Sequence, residues 1–257
     1  MPAGRRVPWR VVGAGETIRP QMANLITVAR LLLLFVVVGM VVAAPVDLAA
    51  VSMVLIVVVF AGDGLDGWVA RKRNSASRFG AVFDIAGDRM VEQVLWIVFA
   101  YLRAVPLWVP LLVVVRGGLV DALRSLSYAE GMTAFGEKTM MRSALSRWLT
   151  AGRFMRGLYG YAKAVAFVFL AGWVGFRRPE AAGTWLEAVY GPALVQLLGW
   201  VSVWLAVGLM VLRGIPVVLD ALPYAQPPPG ATPTPDARPV GAFVGDGRGQ
   251  AGAGEGR

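Results

Sequence analysis

Apolar residues run from position 25 to 44 with Arg30 as the only charge, and after a break at Pro45 and Asp47 a second apolar run begins at 48. About 20 such residues take a helix across a bilayer. The first run is long enough alone. The second reaches that length by continuing to about 69, with a group of carboxylates at its far end. A third helix is expected to begin near 77 and to end near 102. Pro106 breaks the pattern, and 107–123 reads as a fourth helix. Residues 124–156 are mixed polar and basic, 163–176 form the apolar core of a fifth helix, and 193–212 give twenty residues without a charge. The pattern predicts an all-α, polytopic membrane protein with six transmembrane helices.

Composition supports that reading: 57% of the 257 residues are hydrophobic and the mean hydropathy is +0.62, more apolar than ordinary soluble domains. The net charge of +9 then points to an anionic membrane surface and membrane lipids as partners, not to nucleic acid. Cysteine and histidine are both absent. That excludes a disulfide framework, Cys–His and Ser–His catalysis, and zinc sites built on those ligands. Lys and Arg crowd the N-terminal segment, the 71–78 connection and residues 124–156, whereas the 45–47 turn has none and the turn before the fourth helix has only Arg103. Basic residues accumulate on the cytoplasmic side, so both termini are expected in the cytoplasm and the protein in the cell membrane. Arg177 and Arg178, in the loop before the last span, run against this rule. The first run starts too late, behind too long a polar lead, for a typical cleaved signal peptide. The expected organisation is a basic N-terminal segment at 1–23, a membrane domain at 24–221, and a tail at 222–257 whose Pro, Gly and Ala cannot bury a core, so that it is expected to be disordered.

The second helix ends in Asp63 and Asp66, three apart and therefore on one face, and the third carries Asp84 and Asp88, four apart and likewise on one face. The short basic connection between them lets the two pairs face each other. Four carboxylates gathered near a membrane repel one another and are costly to hold, and divalent cations relieve both problems. Oxygen-only ligands select hard ions such as Mg²⁺ or Mn²⁺. Two such ions are a common means of binding a pyrophosphate and of stabilising an in-line displacement at phosphorus. Gly67 and Gly80 let a backbone or a flat ligand come close, and Arg71 can pair with a phosphate oxygen. A cation-coupled transporter with a carboxylate cluster is the alternative of another class. The string Gly62-x-Gly64-x-x-Gly67 lacks the soluble βαβ setting of a dinucleotide fingerprint.

The full pattern, Asp63-x-x-Asp66-Gly67-x-x-Ala70-Arg71, eight residues, Gly80-x-x-x-Asp84-x-x-x-Asp88, resembles the signature of the CDP-alcohol phosphatidyltransferases at every defined position. Asn24-x-x-Thr27-x-x-Arg30 resembles the segment before that family's first span. The resemblance implies a six-helix membrane enzyme, a homodimer with a polar cavity open to the cytoplasm, that displaces CMP from a CDP-linked lipid such as CDP-diacylglycerol with the hydroxyl of an alcohol. By position, it makes Asp63, Asp66 and Asp84 the core metal ligands. Asp88 becomes a ligand of the second metal and the candidate general base. Gly67, Ala70, Arg71 and Gly80 frame the CDP moiety.

Eight basic residues lie between 116 and 163, opposed by Asp121, Glu130 and Glu137 alone. Arg116, Arg124 and Lys163 stand in apolar helical surroundings where a charge needs a partner, and a phosphorylated acceptor would supply one. The stretch 116–124 resembles the corresponding helix of glycerol-phosphate-using members, which favours glycerol 3-phosphate as acceptor and phosphatidylglycerol phosphate as product. Those members carry an acidic residue where this chain has Gly117, and an inositol-phosphate acceptor is the alternative.

Overall fold

The computed structural model describes residues 22–43, 46–72, 78–129 and 144–221. The expected N-terminal segment up to residue 21 and the tail from 222 lie outside the described residues. Among the described residues every regular element is helical: α1 (Met22–Ala43), α2 (Ala49–Lys72), α3 (Arg78–Tyr101), α4 (Trp108–Ala129), α5 (Ala144–Ala151), α6 (Arg153–Phe176), α7 (Trp185–Tyr190) and α8 (Ala193–Ala221). Short 3₁₀ turns at Val46–Leu48 and Pro179–Ala181 join α1 to α2 and α6 to α7.

Among the described residues, each of the six apolar stretches corresponds for most of its length to a long helix: α1, α2, α3, α4, α6 and α8. The boundaries move where polar residues are satisfied inside the bundle. α6 begins ten residues before the expected apolar core, because Tyr159 and Lys163 find a partner on α3. α8 continues through Pro216 to Ala221. The short helices α5 and α7 were not expected, since neither is long enough to show a period.

The buried positions show why these helices pack as they do. On α1, Thr27, Arg30, Leu34, Val37 and Val41 are all buried. Their alternating spacing of three and four traces one stripe of a helix. On α2 the stripe is Ala49, Ser52, Ile56 and Val59. The next two positions at the same spacing are Asp63 and Asp66. α1 packs on α2 and α3, α6 on α2 and α8, and α4 on α3 and α8. At the centre, the Phe167 ring of α6 lies 4.8 Å from Trp96, 5.6 Å from Phe60 and 6.0 Å from Phe99, within the range of favourable aromatic pairs.

The outward faces carry Leu32, Phe35, Val54, Leu197 and Leu198 in the open, an arrangement suited to lipid and not to water. Among the described residues, three helical segments, Leu25–Ala43, Ser146–Phe176 and Ala193–Asp220, are long and apolar enough to cross a membrane. A further apolar helical stretch, Val46–Gly62, takes in the first 3₁₀ turn and the start of α2. This is a membrane protein.

Arg177 and Arg178 have a local explanation. The Arg177 guanidinium donates to the Arg103 carbonyl at 3.0 Å, just beyond α3, and Arg178 donates to the Val42 carbonyl at 3.3 Å in the last turn of α1. Helix C-termini carry orphan carbonyls and partial negative charge. Both arginines therefore cap the bundle, whatever the charge rule for loops.

Candidate functional site

The aspartates lie on two helices, α2 and α3, that both pack on α1. Asp63, Asp66, Gly67, Ala70 and Arg71 belong to the last turns of α2, and Gly80, Asp84 and Asp88 to the first three turns of α3. The side chains of residues 63–72 and of Arg124 lie outside the described residues. Those of Asp84 and Asp88 are described, and both reach the same group on α1. Arg30 Nη2 is 2.8 Å from Asp88 Oδ1 and 3.6 Å from Asp84 Oδ1.

Burial of the three groups is lopsided. The Arg30 side chain is only 3% exposed, while Asp84 and Asp88 are 36% and 40% exposed. The carboxylates are thus partly accessible while their protein counter-charge is enclosed. Two glycines make the enclosure possible. A Cβ at Gly62 of α2 would lie 3.3 Å from Arg30 Cδ. One at Gly87 of α3 would lie 2.7 Å from Thr27 Cγ2 and 3.2 Å from Arg30 Nη2. Any larger residue at Gly87 would have to displace the Thr27 side chain and crowd Arg30.

One turn deeper on the same face of α3, Glu92 is buried. The Tyr159 hydroxyl donates to Glu92 Oε1, and Lys163 Nζ stands 3.2 Å from Glu92 Oε2. The Lys163 ammonium also lies 5.1 Å from the Tyr159 ring centre and 5.5 Å from that of Phe60. The Arg213 guanidinium sits 5.2 Å from the Tyr159 ring and donates to the Thr150 carbonyl at 3.0 Å. On α4, Asp121 pairs with Arg89 at 3.2 Å. Arg116 is packed so closely on α8 that a Cβ at Gly214 would be 2.9 Å from its Nε. Gly117 is buried, and a Cβ there would be 3.3 Å from Gln93 Nε2 and 3.9 Å from Arg89 Nη1.

Lys163 was expected to need an acceptor phosphate because its charge had no visible partner. In the fold its ammonium pairs with Glu92. Glu92, Tyr159, Arg213 and the pairing of Arg30 were not foreseen. One signal could have found Glu92: it follows Asp88 by four and so extends the Asp84–Asp88 stripe.

The chemistry of the exposed donors is all oxygen, suited to hard divalent cations. The Arg30 guanidinium already stands against two of them as a cation, so Asp84 and Asp88 fit such an ion. An apolar groove of about 490 Å³ lies elsewhere, between α2, α6, α7 and α8, with Val57, Val165, Phe169 and Leu198 on its walls and none of the candidate residues.

Comparison with known proteins adds two findings. The family model for CDP-alcohol phosphatidyltransferase matches residues 20–212. Proteins named "Putative cardiolipin synthase" from Mycobacterium tuberculosis (strain H37Rv) and Mycobacterium bovis are 36% identical to this chain over 80 residues, which is 30% of this chain and 38% of each relative. This chain therefore spans well under half the length of the curated relatives it matches. The family match, in contrast, runs from just before α1 well into α8 and takes in every helix that carries a candidate residue. The chain belongs to the CDP-alcohol phosphatidyltransferase family.

Proposed function

We propose that the protein is an integral-membrane phosphatidyltransferase that displaces CMP from a CDP-linked lipid, CDP-diacylglycerol, with the hydroxyl of a phosphorylated alcohol. The observation that carries this reading is the pair of half-open carboxylates on α3, backed by a buried arginine, within a signature of eight fixed residues that spans α2 and α3. The reading includes six spanning helices, a polar cavity open to the cytoplasm, cytoplasmic termini, the cytoplasmic membrane and a homodimer.

Asp63, Asp66 and Asp84 would hold two divalent cations, Mg²⁺ or Mn²⁺, with Asp88 on the second. When bound, these ions neutralise the pyrophosphate and stabilise charge on the attacking and leaving oxygens. Gly67, Ala70, Arg71 and Gly80 frame the CDP moiety. Asp88 receives the proton of the acceptor hydroxyl as its oxygen attacks the lipid-side phosphorus. The bond from that phosphorus to the bridging oxygen breaks, and CMP leaves with the electron pair. The chain has no His or Cys to serve as base.

Arg116 and Arg124, on the helix that packs against α3, and Lys163 of α6 are the candidate contacts of the acceptor's phosphate. Glycerol 3-phosphate is the favoured acceptor, with inositol phosphate as alternative. The name of the mycobacterial relatives brings in a further acceptor, a phosphatidylglycerol-type lipid, whose phosphodiester offers the same anionic handle. Purified full-length protein with CDP-diacylglycerol, Mg²⁺ or Mn²⁺, and each acceptor in turn decides among them. CMP release is expected only with both metal and acceptor, and the lipid product names the acceptor. Metal-dependent ion flux in vesicles, with no CMP from any acceptor, would establish the transporter instead.

Arg116→Ala removes a charge-assisted contact worth about 1.5–3 kcal/mol. The acceptor KM is expected to rise roughly 10- to 100-fold, with the KM for CDP-lipid within about twofold of wild type. Equal constants in variant and wild type would make Arg116 a packing residue of the α4–α8 contact.

A further inference from the structure

Arg30 is the one described charge of α1, and its side chain is almost wholly enclosed at 3% exposure. A guanidinium inside a membrane-helix bundle is costly unless it is paired. α1 could have continued its Leu and Val stripe through this position. Instead Gly62 and Gly87 clear a slot for the side chain from two different helices, and its head meets the carboxylates of Asp88 at 2.8 Å and Asp84 at 3.6 Å. The pairing is made to the carboxylates that open outward, not to a buried acid such as Glu92.

We infer that Arg30 is a positioning residue that serves as the resident counter-cation of Asp84 and Asp88, holding both carboxylates in place before divalent ions arrive and competing with those ions for them. The inference rests on the reading that these aspartates hold divalent cations. It does not depend on which lipid is made. A single positive charge placed against two carboxylates limits their mutual repulsion in the ion-free protein. It also weakens ion binding, because an arriving cation meets a carboxylate pair already partly neutralised. The slot formed by Gly62 and Gly87 keeps the guanidinium close by when ions bind. The carboxylates are therefore presented at one place whether or not the ions are there.

Binding linkage makes this testable without turnover. If divalent ions replace what Arg30 supplies, they must stabilise a variant lacking it more than they stabilise wild type, and therefore bind that variant more tightly. Full-length Arg30→Gln in detergent is expected to melt roughly 5 °C or more below wild type in EDTA. Saturating Mn²⁺ should close most of that gap. The Mn²⁺ Kd, read from the electron paramagnetic resonance signal of free Mn²⁺, should fall roughly 10- to 50-fold in the variant, the change that linkage requires for such a shift. Adding Asp84→Asn and Asp88→Asn to Arg30→Gln should restore most of the melting temperature in EDTA, because nothing remains to be countered. Arg30→Lys keeps the charge without the planar fork and should fall between; it carries the test if Arg30→Gln does not fold. A gap of equal size in EDTA and Mn²⁺, or weaker Mn²⁺ binding to Arg30→Gln, overturns the inference and makes Arg30 a packing residue. Failure of the metal reading looks different: wild type itself then gains no stability from Mn²⁺ and releases no CMP.

Discussion

Asp66→Asn, and equally Asp63→Asn, is expected to lower metal-dependent CMP release at least about 1,000-fold, because divalent ions stabilise several kcal/mol of charge in the displacement and each 1.36 kcal/mol is tenfold in rate. The substitution keeps the size of the side chain and removes its charge. Both positions continue the three-and-four spacing of the buried α2 stripe Ala49, Ser52, Ile56 and Val59, so Asn enters a helix that has already met its packing requirement. Loss of one negative charge from a group of four relieves like-charge repulsion, and the melting temperature in EDTA should stay level or rise. The pairing of lost turnover with retained stability is what a ligand role requires; a residue that merely ended a span would affect neither. CMP release, the melting curve and Mn²⁺ binding measured on one preparation check it. Turnover at the wild-type rate in Asp66→Asn would contradict a two-cation site.

The hydrophobic pattern located the long helices because a lipid-facing surface tolerates almost no charge, so each run of apolar residues has to be a continuous helix. The aspartate quartet stands out in the sequence for the converse reason. Acidic residues that close an otherwise apolar helix demand an explanation, and their spacing of three and four makes one face of each helix. The pairings across the bundle were hidden. Arg30 meets Asp88 from 58 positions away and Lys163 meets Glu92 from 71 away, and no local period reports a contact of that separation. Lys163 shows the consequence: read alone it was an unmatched charge awaiting a phosphate, and in the fold it is matched. Gly87 shows the same limit from the other side. In the sequence it is one glycine in a helix, and in the fold it is the place where Thr27 and Arg30 pass. The capping by Arg177 and Arg178 was hidden too, since loop charge counts treat every arginine as solvated.

Glu92→Leu is expected to be the most destabilising single change inside the bundle. It leaves the Lys163 ammonium, 15% exposed, without its counter-charge, and it takes away the oxygen that accepts from Tyr159. Breaking a buried ion pair from one side costs about 3–5 kcal/mol. A chain of this size should then melt roughly 10 °C lower. Replacing the whole network with apolar groups should behave differently, because well-packed hydrophobic residues often equal or exceed the stability of a buried ion pair. Glu92→Leu with Lys163→Met and Tyr159→Phe removes both charges and the orphaned hydroxyl. It keeps the aromatic ring that Arg213 rests on at 5.2 Å. Its melting temperature should return to within a few degrees of wild type. The same triple variant also decides what Lys163 is for. A lysine whose charge is spent on Glu92 can be removed with it, and the acceptor KM should then stay within about threefold of wild type. A lysine that also grips the acceptor's phosphate would leave a stable triple variant whose acceptor KM is raised tenfold or more, a loss of about 1.4 kcal/mol or greater, while the KM for CDP-lipid stays put. Stability and acceptor affinity are read on the same protein, so a structural and a substrate-binding lysine cannot give the same pair of results.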